Sequence, residues 1–305
     1  ATTKVMMSSI FSYTDATTGS SWAAGKTVLI TGASAGIGAE LARDFAKEGA
    51  SLALLARNKD RLSAVSKECT ALGSPNAQVF SCDLTNDQDI KSAFQSAVDI
   101  FGHFDIVILN AGRSMGCYFQ EIKDIEQINY MLRLNINGVI NSLFYALPSI
   151  PKLSSSRIVV ISSVAGILPV PYRTVYCASK HALAGFSNSL RIELTDTYGK
   201  NAPAVQLINF PEVKGTNLNS GRMNFGAERP PAEFKTEDGA ASSTMATVEE
   251  ACASLVTHIK LGTNEWGQPL KVTVLSMLRN VTATIVDSLV LKTVKKSHHR
   301  PDESN

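Results

Sequence analysis

The sequence contains no run of ~20 uninterrupted apolar residues, the length that a membrane-spanning helix requires. Its first 24 residues, rich in Ala, Ser and Thr, lack the apolar stretch of a secretory signal. The chain begins at Ala1 rather than Met, which leaves an upstream anchor open. Cysteine is scarce. Cys69, Cys82, Cys117, Cys177 and Cys252 are far apart, odd in number and form no C-x-x-C pair, so neither a disulfide framework nor a metal centre is expected. A reducing, cytoplasmic setting fits such usage. Neither sign of charge is in excess: 29 Lys and Arg against 27 Asp and Glu give a formal net charge of +2. The basic residues are scattered except at the C-terminus, so nucleic acid is not an expected partner. With 44% hydrophobic and 18% charged residues in 305, the composition is globular rather than disordered.

What is present is a regular alternation. Short apolar runs at Thr27–Ile30, Ser51–Leu55, Gln78–Ser81, Asp105–Leu109, Arg157–Ile161 and Val205–Ile208 read as buried parallel strands. Helical patterns lie between them at 37–48, 59–72, 87–101, 124–146 and 175–197. This β-α repetition predicts one α/β domain over 25–270, a doubly wound parallel sheet of about seven strands with helices on both faces. Residues 1–24 read as an N-terminal extension. Residues 211–245, rich in Gly, Pro, Asn and Ser, read as a loop or lid over the substrate. Residues 271–305 read as an amphipathic extension: Val274, Leu278, Val281, Ile285 and Leu289 recur at helical spacing before a basic end at Lys292–Arg300. Peripheral membrane contact through 271–300 and packing on the domain are the two readings of that segment.

After the first strand comes Thr31-Gly32-Ala33-Ser34-Ala35-Gly36-Ile37-Gly38, leading into a helix. Glycines suit a sharp turn on which backbone must approach a pyrophosphate, and the helix start offers free N–H groups and partial positive charge. Because the run sits between a strand and a helix inside a βαβ unit, it predicts a dinucleotide site rather than a merely structural turn. At the end of the second strand, where an acid would hold both ribose hydroxyls of NAD, the chain has Ala56-Arg57-Asn58. A guanidinium there suits a 2′-phosphate, so NADP(H) is favoured and NAD(H) is the second choice.

A catalytic constellation follows. Ser162-Ser163 ends a buried strand, Tyr176 comes thirteen residues after Ser163, and Lys180 lies four residues beyond Tyr176 on the same helix face. Reduction of a carbonyl needs a proton donor whose pKa lies near working pH. A free phenol titrates near ~10. A neighbouring ammonium favours the phenolate, and a serine hydroxyl can bond the substrate oxygen as charge builds on it.

Taken together, these residues resemble the short-chain dehydrogenase/reductase family. The likeness covers most of residues 25–215, through Thr31–Gly38, Asp83, Asn110-Ala111-Gly112, Asn135, Ser163, Tyr176 and Lys180. It implies a Rossmann fold and a catalytic set of Asn135, Ser163, Tyr176 and Lys180, with Asn135 holding a relay water and Lys180 also bonding the nicotinamide ribose. It implies cofactor contacts from Gly32, Ser34, Gly36, Ile37, Gly38, Arg57, Asp83 (adenine), Asn110, Ala111, Gly112, Tyr176, Lys180 and Thr216. Within the family, Pro169-Val170-Pro171 and Tyr176–Leu183 are most similar to the dehydrogenase/reductase member 7 group, related to the 11β-hydroxysteroid dehydrogenases. That likeness implies a lipophilic carbonyl or alcohol as substrate, such as a steroid, retinoid or lipid. It also implies association with the endoplasmic reticulum or another membrane surface, and a homodimer or tetramer built on the 124–146 and 175–197 helices.

The chain departs from the family pattern in three places. Leu109 replaces an asparagine before Asn110. Ala35 stands where many NADP enzymes carry a basic residue. Glu212 occupies a glycine position, with either Lys214 or, through a local insertion, Val213 falling at the nicotinamide contact. The apolar stretch Gly166–Tyr172, with Met115, Tyr118 and the 217–245 lid, is expected to border the substrate cleft. Two rival functions stand beside turnover of a carbonyl: an NADP(H)-binding sensor or scaffold of the same fold, which Glu212 keeps open, and a serine hydrolase using Ser163. The hydrolase lacks Gly-x-Ser-x-Gly and a suitably placed base.

Overall fold

The apolar runs form one parallel sheet; all but the edge run at Gln78–Ser81 are buried on both faces and so have no polar side to present to water. The computed structural model describes residues 21–210, 213, 223 and 246–266. Its strands are β1 (Thr27–Thr31), β2 (Ser51–Ala56), β3 (Ala77–Ser81), β4 (Ile106–Leu109), β5 (Arg157–Ser163), β6 (Ala204–Phe210) and β7 (Glu265–Trp266). They lie in the order β3-β2-β1-β4-β5-β6-β7, and every pairing is parallel. The expected doubly wound sheet is the one observed, with seven strands. Successive connections run outward in opposite directions from β1 and from β4. The crevice beyond the carboxyl ends of these two neighbours is the switch point at which such sheets bind ligands.

Seven α-helices are described: α1 (Gly36–Lys47), α2 (Lys59–Ala71), α3 (Asp87–Phe101), α4 (Ile125–Leu132), α5 (Gly138–Ala146), α6 (Thr174–Tyr198) and α7 (Val248–Leu261). Their starts follow from short polar side chains. Asn58 accepts from the N–H of Arg61, Asn86 from those of Gln88 and Asp89, and Thr247 forms a capping box with Glu250. Helices α1, α2 and α7 cover one face of the sheet, where Leu41, Phe45, Leu62 and Leu255 meet Ile30, Leu54 and Ile108. Helices α3, α5 and α6 cover the other, where Phe94, Leu143 and Leu183 meet Leu29, Val107 and Val160.

Three expectations change. The helix expected over 124–146 is split by a π-turn at Arg133–Asn137, which separates α4 from α5. Packing begins before residue 25, since Ala23 is fully buried and the Trp22 ring lies 6.2 Å from that of Phe45. Helix α7 and strand β7, which follow the 211–245 segment, had no element assigned to them. The remaining expectations for 1–20, for Thr216, Glu212 and the lid apart from Val213 and Met223, and for 271–305 fall outside the described residues.

Candidate active site

The glycine turn opens the crevice. Gly32 and Gly36 hold φ values of +70° and +56°, a region open to glycine at little cost. A Cβ on Gly32 would stand 2.9 Å from Ala111 Cα, so the turn is pressed against the end of β4. At Gly38 a Cβ would lie 2.4 Å from the Gly32 carbonyl oxygen. This glycine permits close packing of α1 under the turn and is not part of the cavity wall. Ala35 caps α1 with no side-chain hydrogen bond, which leaves the first N–H groups of the helix for a ligand. Asn110 joins turn and floor. Its Nδ2 donates to the Thr31 carbonyl at 3.0 Å, while the N–H groups of Asn110 and Ala111 donate to Thr31 Oγ1 at 3.0 and 3.2 Å.

At the far end of the crevice Arg57 is exposed, and its Nη1 donates to the Tyr130 hydroxyl at 2.7 Å. Asp83 stands between two wall residues, Cys82 and Leu84, and its carboxylate accepts from the N–H and Oγ1 of Thr85, both at 2.9 Å.

At the near end the four expected catalytic residues converge. Lys180, 4% exposed, donates from Nζ to the Ile161 carbonyl at 2.9 Å and lies 5.7 Å from the centroid of the Tyr176 ring. Burial brings its ammonium down from the ordinary 10.5 to about 8. Tyr176 is 3% exposed and lines the cavity with Lys180 and Ser163, the last residue of β5. The Ser163 hydroxyl accepts from the N–H of Ala165 at 3.2 Å. Asn135 is fully buried inside the π-turn, a local irregularity often found at functional sites. Its Nδ2 donates to the Arg113 carbonyl at 2.9 Å and to Ser179 Oγ at 3.1 Å, and its Oδ1 accepts from the Arg113 N–H at 2.9 Å. Gly112 lies at the meeting point: a Cβ there would stand 3.2 Å from Asn135 Oδ1 and 3.6 Å from Lys180 Nζ.

A single cavity of about 840 Å³ runs from the glycine turn to this cluster. Of the expected cofactor residues it is lined by Gly32, Ser34, Gly36, Ile37, Arg57, Asn110, Ala111, Gly112, Tyr176 and Lys180. Val213 also lines it. The substrate stretch is less exposed to the cavity than expected. Val170 reaches the wall, whereas Met115 is fully buried behind it and takes the Val175 N–H on its sulfur at 3.2 Å. Cys177 is likewise buried, and desolvation raises its thiol.

Several residues in or beside the site escaped the sequence reading. Arg61, Arg113 and Arg173 line the cavity; Tyr130 holds Arg57; and Ser179 ties Asn135 to the Tyr176 carbonyl, to which its Oγ donates at 2.7 Å. Tyr172 is the one described non-glycine residue with positive φ, at 65°. Its carbonyl accepts from the Cys117 N–H at 3.1 Å, and its ring meets that of Tyr118 edge-on at 4.6 Å. The available signals were Ser179, by its place between Tyr176 and Lys180, and Arg61, four residues after Arg57; the others depend on pairings distant in sequence.

The sequence pattern of the family described as short chain dehydrogenase matches residues 26–219. The 11-beta-hydroxysteroid dehydrogenase-like 2 protein of Arabidopsis thaliana is 33% identical over 266 residues, 87% of this chain and 80% of its own length. Among solved structures, a short chain dehydrogenase/reductase of Burkholderia phymatum in complex with NAD superposes with a TM-score of 0.71 at 21% identity, covering 86% of this chain and 95% of that one. An alcohol dehydrogenase of Thermococcus sibiricus complexed with 5-hydroxy-NADP gives 0.65 at 23% identity, with 80% and 95% covered.

Proposed function

The chain belongs to the short-chain dehydrogenase/reductase family of oxidoreductases, and on that premise we propose that it interconverts a carbonyl and an alcohol with NADP(H), Tyr176 acting as acid and base. One observation carries this reading: the buried Lys180 ammonium, 5.7 Å from the Tyr176 ring, on the wall of the cavity that begins at the glycine turn.

The residues fit a dinucleotide. The positive-φ glycines and the uncapped start of α1 suit a pyrophosphate beside Gly32, Ser34, Gly36 and Ile37. Arg57 suits a 2′-phosphate, and Tyr176 and Lys180 suit the nicotinamide ribose. When bound, the nicotinamide supplies or takes up the hydride. Lys180 then favours the phenolate of Tyr176, so that the phenol can give a proton to a developing alkoxide and recover it. Ser163 steadies that oxygen by hydrogen bonding, and Asn135 keeps the 113 backbone and the Tyr176–Ser179 turn in register.

For the substrate, Val164, Ala165, Val170, Phe210 and Val213 make the wall beside Ser163 largely apolar, which supports a lipophilic carbonyl or alcohol. The naming of the Arabidopsis relative supports the same class. Exposed Phe144 and Ile192, on α5 and α6, support a homo-oligomer through those helices; sedimentation of the wild type beside Phe144→Asp tests it. Contact of 271–300 with a membrane remains part of the proposal, tested by vesicle flotation of the full chain beside one ending at 270. The decisive assay for turnover is a panel of carbonyls and alcohols with NADPH and NADH, run beside Tyr176→Phe. Turnover is expected to vanish in the variant while NADPH still binds; full activity there rejects the mechanism.

A further inference from the structure

The turn that leads into α6 adopts a conformation that its sequence does not favour. Val170 and Arg173 line the cavity, and the Arg173 N–H donates to the Val170 carbonyl at 3.3 Å, closing a four-residue turn over Pro171 and Tyr172. Pro171 in the second position and a φ of 65° at Tyr172 in the third give it the form of a type II turn. The third position of such a turn suits glycine or asparagine, because a Cβ crowds the backbone at positive φ. A tyrosine there is held against strain, and strain of this kind persists only where the surroundings fix it.

Those surroundings come from the segment after β4. The Cys117 N–H donates to the Tyr172 carbonyl at 3.1 Å, and the Tyr118 hydroxyl donates to the Tyr172 hydroxyl at 3.1 Å. The two rings meet edge-on with centroids 4.6 Å apart, a favoured aromatic arrangement. Sulfur atoms fasten the turn on either side: the Val170 N–H donates to Cys177 Sγ at 3.4 Å and the Val175 N–H to Met115 Sδ at 3.2 Å. Met115, Cys117 and Tyr118 thus grip Tyr172 and Val175, while the turn presents Val170 and Arg173 to the cavity. Neither tyrosine ring lines that cavity. Glycine at position 172 would satisfy the backbone without strain, but it would lose the ring and with it the link to Tyr118.

We propose that Tyr172 is a positioning residue for the substrate: paired with Tyr118, it fixes the 170–173 turn so that Val170 and Arg173 form a rigid part of the wall shared with Ser163 and Tyr176. The proposal rests on the reading of the site as one that interconverts a carbonyl and an alcohol. It places part of the substrate fit in two side chains that stand behind the wall.

Steady-state kinetics of the full chain with NADPH and two ketones of different bulk, cyclohexanone and 1-decalone, tests it beside calorimetry of NADPH binding. Tyr172→Gly is expected to raise the KM for the ketones about tenfold or more, to change kcat by less than about threefold and to leave the Kd for NADPH within about twofold. An unchanged KM overturns the proposal, since a strain-free turn would then serve as well. So does a loss of NADPH binding in step with the rise in KM, which would mark a general role in folding. Tyr118→Phe and Tyr172→Phe each remove one hydroxyl of the same bond and keep both rings. Each should raise KM about three- to fivefold, and the double variant no further. Effects that add in the double variant overturn the pairing. Should Tyr172→Gly fail to fold, the phenylalanine variants decide alone. A wild type that reduces neither ketone rejects the reading of the site and this inference with it; wild-type turnover that Tyr172→Gly matches rejects the positioning alone.

Discussion

Lys180 Nζ is held by the Ile161 carbonyl at 2.9 Å, and from that anchor it stands 5.7 Å from the centre of the Tyr176 ring. The anchor comes from β5 and the ring from the same helix one turn back, so the charge that acts on the phenol is fixed by the sheet and not by a mobile side chain. It is also a charge under strain of desolvation, and this has a measurable sign.

The folded-state value of Lys180, about 8, lies below its ordinary 10.5. Between these values the unfolded chain binds the proton and the folded chain does not, so this group disfavours folding below pH 8, and the penalty lifts as pH rises toward 10.5. Lys180→Met should therefore gain stability over the apo wild type at pH 7, and the gap should shrink by about 1 kcal/mol by pH 9. Denaturant unfolding of both proteins across that range measures it. A gap independent of pH would show that the ammonium is not desolvated.

Arg57→Ala should raise the KM for NADPH by about tenfold or more and leave that for NADH within about twofold. Steady-state kinetics with both nucleotides decides this, and equal effects would reject NADP(H) as the preferred cofactor.

Gly38→Ala places a methyl group 2.4 Å from the Gly32 oxygen and 2.5 Å from Asn110 Nδ2. One neighbour belongs to the turn and the other ties the turn to the end of β4, so the expected cost is about 1–3 kcal/mol of stability together with weaker binding of either nucleotide. Urea unfolding and nucleotide titration test the two parts. An unchanged protein would mean that α1 shifts freely under the turn.

Asn135→Ala removes three hydrogen bonds from a fully buried amide. The Arg113 backbone groups lose their partner, and a loss of about 2 kcal/mol or more is expected, accompanied by a fall in kcat larger than any rise in KM. Thermal unfolding and kinetics on the same preparation check both.

Much of this was legible because it is local. The strand β5 announces itself by Arg157-Ile158-Val159-Val160-Ile161, and the Tyr176–Lys180 pair by four-residue spacing on a helix. The two ends of the expected strand set shifted by a residue or two, which is the ordinary fraying of boundaries. What could not be read was set by tertiary partners. Arg-Leu-Asn-Ile-Asn at 133–137 carries no helix breaker, yet it forms a π-turn where the Asn135 amide bonds the 113 backbone. β7 is two residues long and exists by pairing with Leu207 and Ile208. Met115 reads as a pocket residue by its apolar side chain alone, and pockets and cores draw on the same residues.

The four residues of the proposed relay lie between 135 and 180, but the sheet face under the glycine turn is closed by α7, from beyond residue 246. Val248, Ala251, Leu255 and Ile259 pack into the same core as Leu41 and Phe45, and Arg157 fastens the end of α7 by donating to the carbonyls of Ile259 and Lys260 at 2.8 and 3.2 Å. A growing chain thus completes its chemical apparatus well before it can shelter the apolar side of α1. Until the last described helix leaves the ribosome, a chain carrying every relay residue still offers a bare hydrophobic face to its neighbours, and that interval is when it is most exposed to aggregation or capture by a chaperone.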